Sequence, residues 1–185
     1  MTSSDDSALR PGAVAEAAGT VGLSYEGTAG GPATVAVVCA KFNGAITEKL
    51  LHGTLAGLAD HGVGPDAVHV AWVPGAVELP LAASRLLWST AYDAVIALGA
   101  VIRGDTAHFD FVAGECAAGL QRVALDSGVP VVFGVLTTDT VDQATERAGD
   151  GPSNKGYEAA VTALEMVRLL EQLPAPVEDY PGDDV

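Results

Sequence analysis

The sequence predicts a three-layer α/β/α sandwich around a four-stranded parallel sheet. Two patterns predict it. Short apolar runs alternate four times with segments whose apolar residues recur at helical spacing, and no run calls for an antiparallel hairpin. Each apolar run then empties into a cluster of glycine, charge and hydroxyl, as strands do at the ligand-binding rim of an open α/β sheet.

Residues 1–24 are rich in Ser, Ala, Gly and Asp without a lasting period, and are expected to form a flexible N-terminal arm. Residues 25–31 suit a short strand only if it joins a sheet edge, such as that of a neighbouring subunit. The run TVAVVCA at 34–40 is continuously apolar, as expected of a strand buried on both faces. Residues 44–61 place Ile46, Leu50, Leu51, Leu55 and Leu58 on one helical stripe, and Gly62 ends it. Residues 66–73 read as the second strand, and 76–89 as the second helix with Pro80 in its first turns. The third strand is expected at 93–101, with a helix from about Phe111 to Ser127. PVVFGVL at 130–136 is the fourth strand, after which Thr137 or Thr138 is expected to cap a short helix through Arg147. A last helix from Asn154 to about Leu173 carries Val161, Leu164, Val167 and Leu170 on one stripe, and residues 174–185 form an acidic, proline-broken tail. Right-handed crossovers put helices on both faces of the sheet. The expected strand order is 2-1-3-4, the flavodoxin-like arrangement, in a single domain spanning 25–173.

The formal net charge of −15 over 185 residues disfavours nucleic acid and anionic membrane surfaces as partners. Against that background the cations are informative. Of nine Lys and Arg, Lys41, Arg103, Arg147 and Lys155 lie in or beside the polar clusters, which points to an anionic ligand. Cys39 and Cys116 lack any partner motif and read as buried hydrophobes in a reducing compartment. No apolar run reaches membrane-spanning length, and the acidic N-terminus is unlike a signal peptide, so a cytoplasmic location is expected.

The densest polar cluster is GAVIRGDTAHFDFV at 99–112. Arg103 brings a permanent cation, Gly104 permits close backbone approach, Thr106 offers a hydroxyl, and His108 can give or take a proton near neutral pH. After strand one comes Lys41-Phe42-Asn43-Gly44, in which Phe42 either stacks on a flat ligand ring or caps the following helix. After strand two, Pro74-Gly75 forces a turn whose backbone groups could read a ring edge, and Glu78 serves either the helix dipole or ligand hydroxyls. Strands one and three flank the switch point, so Phe42 and His108 are expected to share one crevice. Thr137, Thr138 and Asp139 follow strand four on the same rim. Arg147 suits a helix C-terminus, whereas Lys155 opens a helix where a cation is disfavoured, which favours a functional role. His52, His61 and His69 read as structural or solvated, and Trp72 and Trp88 as core or interface. Zinc spacing, GxGxxG and GxxxxGK[ST] are all missing, so metal, dinucleotide and triphosphate chemistry are unsupported.

These motifs in this order resemble the lumazine synthase family (6,7-dimethyl-8-ribityllumazine synthases) of riboflavin biosynthesis. The likeness rests on KFN (41–43), VPGAVELP (73–80), GAVIRGDTAHFDFV (99–112), FGVLTTD (133–139), QATERAG (143–149) and NKGYEAA (154–160), and covers about 25–173. It implies condensation of 5-amino-6-(D-ribitylamino)uracil with 3,4-dihydroxy-2-butanone 4-phosphate, with no metal or organic cofactor. By this resemblance Phe42 stacks on the pyrimidine, Ala76, Val77 and Glu78 hold the ribityl side, and Ala100, Val101 and Ile102 read the ring edge. Asp105 and Thr106 meet the butanone phosphate, and His108 transfers protons. Phe133, Arg147 and Lys155 come from the adjacent subunit, Arg147 on the phosphate and Lys155 near the ribityl chain. The implied assembly is a homopentamer, in some members built up to a 60-subunit icosahedral shell, with riboflavin synthase as a candidate partner.

Two positions depart from the pattern. Val77 stands where many relatives carry an aromatic, and Asp150-Gly151-Pro152-Ser153 replaces a more basic, glycine-rich linker. Two other readings compete. A non-catalytic flavin- or lumazine-binding shell protein would need neither the His108 proton shuttle nor the Arg147 anchor. An aldolase-like enzyme would use Lys155 as a Schiff-base nucleophile, which requires a desolvated amine.

Overall fold

The computed structural model describes residue 19 and residues 23–174. Most of the expected N-terminal arm and nearly all of the acidic tail lie outside the described residues. In chain order the elements are β1 (Val35–Ala40), α1 (Gly44–Asp60), β2 (Val68–Val73), α2 (Leu79–Ser89), β3 (Ala94–Ile102), α3 (His108–Ser127), β4 (Val131–Thr138), α4 (Val141–Arg147) and α5 (Lys155–Gln172). The four strands form one parallel sheet in the order β2-β1-β3-β4, the flavodoxin-like α/β arrangement.

Period-two alternation of the central strands builds two cores. Val35, Val37 and Cys39 of β1 join Ile96 and Leu98 of β3 beneath α1 and α5, against Leu50, Leu58, Ala160 and Leu164. Ala36, Val38 and Ala40 face the other way with Val95 and Ala97, against Leu79 and Ala83 of α2 and Cys116 and Leu120 of α3. Both sides of β1 are therefore dry, and this is why its sequence shows no polar alternation. Burial pushes the Cys39 thiol up to about 12 and the Cys116 thiol up to about 11, and both are free.

Several boundaries differ from the sequence reading. Residues 65–67 form a 3₁₀ turn ahead of β2, and 76–78 form another ahead of α2, where Pro80 sits in the first turn. Thr137 and Thr138 close β4 and cap nothing. The cap of α4 is Thr140, whose hydroxyl accepts from the Gln143 amide at 3.2 Å. α3 begins at His108, three residues before the expected start. Residues 25–31 pair with no strand among the described residues. They run along α5, where Arg168 Nε donates to Gly30 O at 2.9 Å and Gln172 Nε2 to Glu26 O at 2.8 Å. Trp72 and Trp88 are both exposed, Trp88 at 79%, so neither belongs to the core of a single chain. His61 Nδ1 lies 2.7 Å from Gly57 O and His69 Nδ1 lies 2.8 Å from the Tyr92 hydroxyl, as structural histidines do.

Candidate active site

Beyond the carboxyl ends of β1, β2 and β3 lies a crevice with a cavity of about 510 Å³. Phe42, the Ala76–Glu78 turn, Ala100, Val101, Ile102, Thr106 and His108 all line it. The sequence reading that put Phe42 and His108 in one crevice therefore describes this geometry.

Backbone ties hold the Phe42 wall in place. The Lys41 amide donates to Val73 O at 2.8 Å and the Phe42 amide to Pro74 O at 3.1 Å, joining the exits of β1 and β2. Of the turn's backbone groups, the Pro74 carbonyl thus already accepts a hydrogen bond within the chain. Asn43 completes the corner. Its backbone sits at φ 57°, the only non-glycine residue at positive φ among the described residues, and its Nδ2 donates to Ala100 O at 2.8 Å. With its amide bound to Pro74 O, Phe42 is 72% exposed beside the cavity, so it is not buried against the following helix as a cap would be. On the facing wall Ala76 packs inward while Val77 and Glu78 stay exposed on the rim.

Arg103 fixes the third wall. Its amide donates to Thr138 O at 2.9 Å, its Nε to Asp139 Oδ1 at 3.0 Å and its NH1 to Asp110 Oδ1 at 3.2 Å, while the guanidinium lies 4.1 Å over the Phe109 ring. The Asp139 hydrogen bond raises its pKa further, with desolvation opposing and the Asp110 charge adding to the rise. Sequence alone offered Arg103 as a cation for a ligand. The structure uses it to join β3, β4 and the start of α3. The next turn then delivers His108 as the first residue of α3, exposed, with its amide donating to Thr106 Oγ1 at 3.4 Å.

The remaining candidates lie elsewhere on the chain. Asp105 is exposed and is not part of the cavity wall. Phe133 and Lys155 line a separate groove of about 570 Å³ between α3, β4 and α5. Lys155 Nζ is held by both Glu158 oxygens, at 2.6 and 2.7 Å, which offsets the cost of a cation at a helix N-terminus. It is half-buried and paired with Glu158, not the desolvated side chain a Schiff-base lysine requires. Arg147 borders neither space. It is exposed, and its NH1 donates to Gln143 O at 3.0 Å, one turn back in its own helix. One chain thus offers an aromatic and an imidazole on one surface and two cations on others.

A sequence model of the 6,7-dimethyl-8-ribityllumazine synthase family matches residues 32–171. This chain belongs to that family. The lumazine synthase family consists of transferases of riboflavin biosynthesis that act on small-molecule substrates and assemble as oligomers. The match runs from just before β1 to the last turn of α5, so it includes both the crevice and the groove. Among the described residues no group of three or more His, Cys, Asp or Glu side chains is arranged to hold a metal ion, and no helix is long and apolar enough to cross a membrane.

Sequence reasoning assigned no role to Asn43 or Asn154. The signal for Asn43 was its place between an apolar run and a helical stripe, where a left-handed residue is needed and Gly44 follows too late to supply it. Asn154 stood at a cap position and its deeper role depends on contacts remote in sequence.

Proposed function

We propose that the chain condenses 5-amino-6-(D-ribitylamino)uracil with 3,4-dihydroxy-2-butanone 4-phosphate to 6,7-dimethyl-8-ribityllumazine, phosphate and water, in a site completed by a second copy of itself. The observation that carries this reading is the single crevice that gathers Phe42, Glu78, Thr106 and His108 beyond the strand ends. An exposed ring with tethered backbone suits a flat pyrimidine. Ala76, Val77 and Glu78 border the ribityl chain, and Ala100, Val101 and Ile102 the ring edge. Asp105 and Thr106 begin the turn that receives the phosphorylated ketone.

Holding amine and ketone in register supplies up to ~7–11 kcal/mol of the barrier reduction. His108 then moves protons during phosphate loss and ring closure, a contribution of roughly 10²–10⁴-fold. An adjacent subunit brings Phe133 against the ring, Lys155 toward the ribityl chain and Arg147 onto the departing phosphate through charge-assisted hydrogen bonds. The assembly in this reading is a pentamer, alone or as the unit of a 60-subunit shell, built from the 25–173 domain. Riboflavin synthase is the expected partner and the cytoplasm the location, consistent with two free, buried thiols. The reading needs no metal or organic cofactor.

Incubating the purified protein with both substrates and following lumazine absorbance tests the proposal. Turnover that requires both substrates is the expected result. Tight binding of lumazine or flavin without turnover would instead favour the storage reading.

A further inference from the structure

We infer that Asn154 is a positioning residue that sets where Arg147 stands relative to Lys155, and so how one subunit presents its two cations to its neighbour's crevice. The inference rests on the proposed shared site. Asn154 is only 3% exposed, and its amide uses both of its ends. Oδ1 accepts from the Gly156 amide at 2.7 Å, capping α5, while Nδ2 donates to Lys49 O at 3.1 Å and to Gly149 O at 2.7 Å. One side chain therefore ties α1, the linker after α4 and the first turn of α5.

The linker needs such a tie. Residues 150–153 are exposed and make no regular element, with Gly151 at φ 82° and its carbonyl accepting from the Asn154 amide at 3.0 Å. Arg147 lies two residues before Gly149 and Lys155 one residue after Asn154. The nest is shaped for this amide, since a Cβ at Gly53 would overlap the Asn154 side chain and a Cβ at Gly156 would overlap the α1 backbone. A plain helix cap needs Oδ1 alone. The two bonds made by Nδ2 are the surplus that a positioning role explains.

Two variants separate the functions. Asn154→Ser keeps a good cap and loses both Nδ2 bonds. Gly53→Ala leaves residue 154 in place and displaces its amide. Both are measured in the full-length protein for KM of each substrate, kcat and Tm, beside Arg147→Ala. The expected result is a roughly tenfold or larger rise in KM for the phosphorylated ketone in both variants, as a misplacement of about 1 Å produces, with a much smaller change for the pyrimidine. A merely structural Asn154 would lower Tm and the active fraction and leave both KM values alone, and that result overturns the inference. If Arg147→Ala itself leaves the ketone KM unchanged, the shared-site reading fails. If Arg147→Ala raises it and the two variants do not, only the positioning role fails.

Discussion

The two functional surfaces of this chain are built differently. The crevice wall at Phe42 and His108 is tethered from every side: two backbone bonds from the β1 exit to β2, the Asn43 amide to β3, and Arg103 between β3, β4 and α3. Arg147 and Lys155 stand on a single layer, exposed or half-buried, and their polar partners among the described residues belong to their own helices. The difference shows where preorganisation is local and where it is left to assembly. Under the proposed function, the wall that faces a flat ligand is built rigid by its own chain, and the two cations are placed by their own layer until a neighbour's crevice meets them.

The strongest attack on this contrast is to split it between chains. Co-assembled His108→Ala and Arg147→Ala subunits are expected to regain turnover that neither single variant shows at its full level, measured after mixed refolding or co-expression. Activity no higher than the average of the two parents would place the whole site within one chain. Separately, His108→Ala is expected to lower kcat by roughly a hundredfold without abolishing turnover, because under the proposed function orientation survives the loss of the proton shuttle. Arg147→Ala is expected to raise KM for the phosphorylated ketone roughly 10–100-fold, the worth of one charge-assisted contact, and to leave the pyrimidine KM nearly unchanged in steady-state kinetics. Phe42→Ala is expected to weaken pyrimidine binding about tenfold or less, if one stacked ring is lost, readable by calorimetry.

A smaller effect lies on the strap along α5. Burial, then the Glu26 charge, raises the Glu165 carboxyl above its ordinary range, with His61 opposing. A carboxyl raised in the folded state contributes its stability at low pH and loses it as pH rises through the folded value. Glu165→Gln is therefore expected to raise Tm at neutral pH, by an increment that shrinks below the carboxylate range. The two thiols define the quiet end of the scale. Cys39 and Cys116 should resist thiol reagents at neutral pH until the chain is unfolded.

Much of this was legible in the residues. Uninterrupted apolar runs marked strands covered on both faces, and the glycine, proline and polar clusters after them marked the rim. The caps were harder. Thr137, Thr138 and Thr140 are equivalent by local propensity, and only the length of β4 determines that the third is free to cap α4. The scaffold part played by Arg103 was not legible, because charge alone does not reveal that carboxylates from α3 and from the segment after β4 pair with it.

By itself the sequence determined the order of strands and helices, the two apolar faces of the sheet and the placing of every polar cluster at the strand exits, because those depend on local periodicity. Only the tertiary structure decided which of those polar groups are spent on the scaffold. Arg103 and Asn154 each bind segments far apart in the chain, and hydrogen bonds of that kind follow from three-dimensional distance and not from spacing along a polypeptide.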